Sequence, residues 1–443
     1  MARLPLEGVR VIDITVVWAG PFATQLLAEW GAEVIRLEPL TAVQPQTRGV
    51  ERARFLTRES VARAAQLGVS GGGYPNRDPL PDPWNRSAMF NASSSNKLSF
   101  TGNMARPSGQ EAYRRLVAVS DVVVENNVPS TGDKIGLTYD YLRDINPGII
   151  LVRMPGFGLS GAYAGYRCWG NHLEGMAGHH LVRAYPDLTL DAAGETYACD
   201  SIAGLTAALG AVMGLRHRAR TGCGQQVEVP QIEAFVQMMG TELLDFTMNG
   251  RVAGAMGNDH RSHAPHGVYP CEGPDRWIAI DVASDEQWRA LCRVLGADGL
   301  SADARYRTAE NRWRNRRELD KELSDLTRAW DQMALFRALQ AEGVPAGPVQ
   351  DDGDCFRCPH LAARGFFQEQ TRDDLGTHRY PGMLFQWLDT PNRHRRPPVK
   401  LGQDNEYVYR ELLGYSAEEY DRLVATGEVG ITYPDWLVQR AGE

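Results

Sequence analysis

The first forty residues constrain the fold most. Val9 to Ile14 (VRVIDI) is an apolar, β-branched run that reads as a strand. Phe22 to Trp30 (FATQLLAEW) follows, with apolar residues recurring at three and four, the spacing of a helix. Gly31 stops the helix, and Ala32 to Leu37 (AEVIRL) returns as a second strand ending at Glu38. A strand, a helix and a strand in such close succession imply a parallel pair with a right-handed crossover. The alternation recurs twice: Gln110 to Val119 leads into Asp121–Val124, and Tyr139 to Asn146 leads into Gly148–Met154. The expected class is therefore α/β, on a Rossmann-like scaffold.

Beyond this unit the organisation changes along the chain. Residues near 42 to 90 are rich in Pro, Gly and Arg, including Gly71-Gly72-Gly73 and Pro79-Leu80-Pro81-Asp82-Pro83, and read as a long surface excursion. Ser201 to Ala219 is rich in Ala, Gly and Leu and reads as a buried helix, with Gln225–Val229 a strand after it. Between 255 and 350, short strands at Gly267–Cys271 and Trp277–Ile280 precede helices near 285–296 and 316–342, which suggests a smaller α+β domain. After about 365 come loops, strands and a final helix pair.

Charge and cysteine content exclude several classes of partner. The 443 residues carry 47 Lys plus Arg against 55 Asp plus Glu, a net charge of −8, which disfavours nucleic acid. No run approaches the roughly 20 uninterrupted apolar residues of a membrane helix, so no membrane association is expected. Met1 to Gly8 has no long apolar run before its first charges, so no signal peptide is expected. Seven cysteines in a chain this long do not suggest a disulfide framework, and point to a reducing, cytoplasmic setting.

Several motifs invite chemistry. Gly20-Pro21 between strand and helix, with Glu38 closing the second strand, resembles a dinucleotide site, but this unit lacks the G-x-G-x-x-G spacing and Pro21 removes a backbone donor. Cys355-Phe356-Arg357-Cys358, with His360 nearby, is a single C-x-x-C and a weak metal or redox signal. His172, His179-His180 and His260, His263 and His266 match no H-E-x-x-H, and no metal site is expected; His263 and His266 sit among Gly and Pro that would line a pocket. Asp200, in Tyr197-Ala198-Cys199-Asp200-Ser201-Ile202-Ala203-Gly204, has two readings: a helix N-cap, or a carboxylate nucleophile beside small residues that leave room for a ligand. Spacing does not choose between them.

A collinear set of motifs does. Leu6–Asp13, Ala19-Gly20-Pro21 and Trp30–Glu38 resemble the start of the family III CoA-transferases, which include formyl-CoA, carnitine and benzylsuccinate CoA-transferases and the 2-methylacyl-CoA racemases. The likeness continues in order through Phe90-Asn91, Asn96-Lys97-Leu98-Ser99, Asp121–Asn126, Gly136-Leu137, Asn146-Pro147 and Gly156-Phe157-Gly158. Arg218 with Thr221–Gln225, and Gly343–Val349, complete it. The resemblance implies a Rossmann-like large domain, residues 1–230 completed by 365–443, and a small domain at 255–350. It also implies an interlocked dimer of two such chains, or a pairing with a second family member. The implied activity is CoA transfer from an acyl-CoA donor to a carboxylic acid. CoA thioester enters as substrate, with no permanently bound cofactor.

The resemblance assigns residues. Asp200 matches the family nucleophile through D-S-x-x-G, and would form an aspartyl anhydride and then an aspartyl-CoA thioester. The CoA pocket would include Val16, Val17, Trp18, Ala19 and Asn126, with Lys134 and Arg167 facing the CoA phosphates. Some positions depart from the family. Formyl-CoA transferases carry Gln where Trp18 stands and a second carboxylate where Gly170 stands, and their glycine lid is absent here. A more apolar acceptor pocket is implied. The racemases place a His–Asp pair where Trp169-Gly170 stand, and Trp is no proton base, which disfavours racemisation. A racemase or isomerase, and a non-catalytic subunit of a heteromeric transferase, are the alternatives.

Overall fold

The computed structural model describes residues 3–42, 48, 57–66, 73–192, 194, 196–390 and 393–438. Six strands form one sheet: β1 (Arg10–Ile14), β2 (Glu33–Glu38), β3 (Lys97–Thr101), β4 (Val122–Glu125), β5 (Ile150–Arg153) and β6 (Gln225–Glu228). Their order is β3-β2-β1-β4-β5-β6, and every neighbouring pair is parallel. This is the doubly wound Rossmann order.

The apolar runs of these strands are continuous because both faces of the sheet are covered. Val11, Val34, Val122, Val124, Ile150 and Val152 point to one side, against α1 (Ala19–Glu29) and a long later helix. Ile12, Ile35, Val123 and Leu151 alternate to the other side, against α2 (Pro107–Ala118) and α3 (Tyr139–Ile145). The crossover from β5 to β6 carries α4 (Gly170–Met176) and that long helix, α5 (Ala198–Thr221). Ala203, Ala207, Ala208 and Ala211 form the buried face of α5. A Cβ on Gly204 would stand 2.8 Å from the Ala19 carbonyl oxygen, so its absence lets α5 touch the start of α1. By length and composition α5 is apolar enough to cross a membrane, which the sequence reading did not anticipate; its alanine stripe packs on α1 as a core helix does.

A buried ionic network ties β1, β2 and β3 together. Lys97 Nζ donates to Asp13 Oδ2 at 3.0 Å, to the Pro21 carbonyl at 2.9 Å and to Thr24 Oγ1 at 2.8 Å. Burial pulls the Lys97 ammonium down to about 8, against the opposing charge of Asp13. Arg36 lies beside Asp13 and Glu38, and Glu38 is paired with Arg48. Glu38 is fully buried by these partners and is not available to a ribose, which removes the dinucleotide reading. Of the 42–90 excursion, Gly71 and Gly72 lie outside the described residues. Trp84 is buried with Leu40, Leu401 and Tyr433, so this part of the excursion is packed rather than superficial.

The chain divides into two compact units: residues 1–177, 195–243 and 363–443 form one, and 178–194 with 244–362 form the other. In the second unit β7 (His266–Pro270), β8 (Trp277–Asp281) and β9 (Ala346–Val349) make a small antiparallel sheet. It is covered by α6 (Asp285–Val294), α7 (Arg316–Thr327) and α8 (Gln332–Ala341) through Trp288, Leu291, Leu319, Leu323, Leu335 and Leu339. The helix expected over 316–342 is thus two helices, with Asp331 capping the second. A hairpin, β10 (Phe367–Arg372) and β11 (Gly376–Pro381), belongs to the first unit.

Candidate active site

In an open parallel sheet, ligands bind beyond the carboxyl ends of the strands, where the strand order reverses. Here that point lies between β1 and β4. A cavity of about 760 Å³ opens there, lined by Val16, Val17 and Trp18 after β1 and by Asn126 and Val128 after β4. Tyr166 to Leu173, apart from Arg167, forms another wall, and Tyr197 and Asp200 from the start of α5 complete the floor. All of these residues belong to the first unit.

Asp200 is the third residue of α5, not its cap. Tyr197 precedes the helix with φ 53° and makes no side-chain cap bond. Glu174 of α4, fully buried, takes the capping role: its carboxylate accepts the Cys199 N–H at 3.2 Å and the Thr196 hydroxyl at 2.7 Å. The Asp200 carboxylate accepts the backbone N–H of Ala19, the first residue of α1, so it faces the positive ends of two helices. Burial pushes its pKa up to about 6; the Ala19 N–H opposes that rise and the charge of Glu174 adds to it.

Two glycines make this placement possible. Gly204, one turn beyond Asp200, brings α5 onto the opening of α1. Gly170 leaves the space the carboxylate fills: a Cβ there would stand 1.9 Å from Asp200 Oδ2. The space that a side chain at position 170 would need is thus filled by the Asp200 carboxylate.

The loop after β1 is held in an unusual conformation. Val17 has φ 66°, a left-handed value that a β-branched residue adopts only under constraint, at on the order of 1–3 kcal/mol. Asn126 helps to impose it: its side chain accepts the Val16 N–H at 2.8 Å and donates to the Val16 carbonyl at 2.9 Å. Asn126 therefore lines the cavity chiefly as a brace for the loop. Trp18, next in the chain, stacks on Tyr197 with centroids 4.9 Å apart and planes 26° apart.

The remaining expected residues are placed differently. Ala19 is buried and serves through its backbone N–H. Lys134 ends a short helix, Pro129–Lys134, and Arg167 sits between Tyr166 and Cys168; both side chains are exposed and neither lines the cavity. Glu125 turns away from the cavity and pairs with Arg153 at 2.7 Å. His260, His263 and His266 lie in the second unit with ring centroids 4.0 to 6.5 Å apart, and His266 lines a separate cavity of about 440 Å³. Cys355 and Cys358 flank the end of a short helix. Among the described residues, no group of His, Cys, Asp and Glu is arranged to hold a metal.

Sequence reasoning missed Glu174, Tyr166 and Cys168. Burial pushes the Cys168 thiol up to about 11, with Asp200 adding, so it stays protonated beside the carboxylate and does not compete as a nucleophile.

A doubly wound sheet with a cavity at its switch point and a buried carboxylate facing that cavity is the arrangement of a ligand-binding α/β enzyme. Residues 6–405 match the family described as CoA-transferase family III. The succinate–glutarate CoA-transferase of Agrobacterium fabrum is 30% identical over 411 residues, covering 92% of this chain and 96% of that protein. The succinyl-CoA–D-citramalate CoA-transferase of Chloroflexus aurantiacus is 30% identical over 433 residues, covering 95% and 97%. A CAIB/BAIF family protein from Brucella suis superposes with a TM-score of 0.78 at 26% identity, over 93% of this chain and all of that one. The chain belongs to CoA-transferase family III, and it is a transferase enzyme.

Proposed function

We propose that the protein moves CoA from an acyl-CoA to a carboxylic acid through covalent intermediates on Asp200. The observation that carries this is a buried carboxylate that faces a cavity while accepting the N–H at the start of α1. Asp200 Oδ attacks the thioester carbonyl, a C–O bond forms, the C–S bond breaks and CoA leaves as thiolate. The thiolate then attacks Cγ of the aspartyl anhydride, forming aspartyl-CoA and releasing the donor's acid. The acceptor carboxylate attacks aspartyl-CoA, and the returning thiolate takes the new acyl group and frees Asp200. No proton needs to move, because each acid enters and leaves as a carboxylate.

The chain's own groups suit these steps. A carboxylate with a raised proton affinity is a stronger nucleophile, yet at about 6 it is ionised at neutral pH. Each attack on Cγ builds negative charge on an Asp200 oxygen, where the Ala19 N–H already points. Exposed Arg167, at the rim, and Lys134 are proposed to meet the CoA phosphates. The test is borohydride or hydroxylamine trapping of the enzyme with acetyl-CoA or succinyl-CoA, read by peptide mass spectrometry. A modification at Asp200, absent without acyl-CoA, is expected. Full exchange activity in Asp200→Ala would end this reading.

We also infer that two copies associate, in keeping with the dimer that the family resemblance implies. Leu205, Leu209 and Met213 form an exposed stripe on α5, at 38%, 57% and 62% exposure. Leu209→Glu together with Met213→Glu is expected to shift the light-scattering mass toward one chain. The seven cysteines are all free, which fits the proposed reducing, cytoplasmic setting.

A further inference from the structure

We propose that the acid exchanged at Asp200 is a monocarboxylate with a flat aromatic body, an aryl- or arylalkyl-carboxylic acid, received against the Trp18–Tyr197 stack. This rests on the transferase reading and goes beyond it by naming the substrate class.

The first observation is the charge of the walls. Among the described residues that line the cavity there is no Lys and no Arg. Its polar side chains are largely committed elsewhere. Asn126 is paired with Val16, Gln231 donates to the Met154 carbonyl at 2.7 Å, and His172 Nδ1 accepts the Trp169 N–H at 3.1 Å. The charged side chain in the described lining, Asp200, is negative, as is the Glu174 behind it, and the cation Arg167 stands outside at the rim. The distal carboxylate of a dicarboxylic acid would enter here desolvated, uncompensated and repelled. Gly170 offers no side chain to bind it.

The second observation is the surface available to the rest of the acid. Trp18 and Tyr197 are each 38% exposed while stacked on one another, and Tyr197 lies three residues before Asp200. Trp169 and Met89, at 41% and 43% exposure, also line this cavity. Flat rings and a thioether reward a flat apolar ligand through stacking and sulfur–aromatic contact. Trp18 follows directly on the left-handed Val17 and is held against Tyr197.

The experiment uses the full-length enzyme with acetyl-CoA and equal concentrations of phenylacetate, 3-phenylpropionate, butyrate, succinate and glutarate, with acyl-CoA products separated by chromatography. The aryl acids are expected to exceed succinate in kcat/KM by roughly tenfold or more. Trp18→Leu should lower the aryl-acid values by up to about tenfold, through the KM of the acid, and lower butyrate less. Trp18→Phe should recover most of the loss. Succinyl-CoA or glutaryl-CoA as the main product would overturn the inference. So would a Trp18→Leu variant that raises the KM for acetyl-CoA equally with every acid, since the stack would then be a CoA contact. If no acid is converted and no Asp200 adduct is trapped, the transferase reading itself has failed. The class is then read from equilibrium binding by calorimetry: phenylacetate held and lost in Trp18→Leu supports it, and glutarate held more tightly overturns it.

Discussion

Asp200→Asn should make the enzyme inactive and more stable at once. The Asp200 carboxyl is 8% exposed, and burial raises it from 3.8 to about 6. At about 1.4 kcal/mol for each tenfold, that rise corresponds to about 3 kcal/mol of folding free energy opposed by the ionised form. The sign follows from proton binding. Between pH 4 and 6 the folded chain holds the Asp200 proton more tightly than the unfolded chain, so stability from this residue falls as pH rises through that window. Above about pH 6 the whole penalty is present. The amide of Asn keeps the shape and can still accept the Ala19 N–H, and the charge-assisted part of that bond is already contained in the rise to about 6. A net gain of about 3 kcal/mol is expected at pH 8. At pH 5 protonation already relieves about half of the penalty, and the gain shrinks to about 1.5 kcal/mol. Urea denaturation followed by tryptophan fluorescence at both pH values checks this, with CoA exchange assayed in parallel. A variant no more stable than the parent at pH 8, or an advantage that does not shrink at pH 5, would refute the reasoning that burial destabilises a functional carboxylate.

Three other perturbations probe the same architecture. The acid limb of the kcat/KM profile should have an apparent pKa of about 6, and Glu174→Gln should move it down while leaving it above the ordinary 3.8, since burial is the larger cause; a pH series on both proteins reads this, and an unmoved limb would remove Glu174 from the account. Gly170→Ala should fold normally by circular dichroism yet lose roughly a hundredfold in kcat, because its Cβ displaces Asp200 by about an ångström. Lys97→Met should destabilise the fold by roughly 3–5 kcal/mol, because it leaves Asp13 buried without its ammonium; a loss under 1 kcal/mol by denaturation would show that Arg36 alone suffices.

Most of the sheet was legible because RVIDI, EVIRLE, VVVE and ILVR are short, largely apolar runs next to helices, a local signal; β3, KLSFT, alternates polar and apolar residues and was not read as a strand. Asp200 was legible as a residue through D-S-x-x-G, but its local role was not. Its N-cap reading failed because Tyr197 turns left-handed and Glu174, 26 residues before Asp200, supplies the cap. Such a partner is brought in by the β5–β6 crossover and leaves no mark near position 200. Asn126 was legible as part of the cavity; that its amide is occupied by Val16 depends on two strand ends meeting. Lys134 and Arg167 were assigned as basic residues at family-matched positions, and both face solvent. Gly170 was noted as a missing carboxylate, whereas its meaning, room for Asp200, exists only in three dimensions.

That vacancy bears on how the enzyme can change. Because the Asp200 carboxylate occupies the space a side chain at 170 would need, no single codon change there can add a new contact without first displacing the reacting group. A side chain at position 170 requires Asp200 to shift, whereas Trp18, Tyr166 and Trp169 line the cavity with their rings exposed. A mutational library aimed at altered acceptors should therefore randomise Trp18, Tyr166 and Trp169 and leave the glycine untouched.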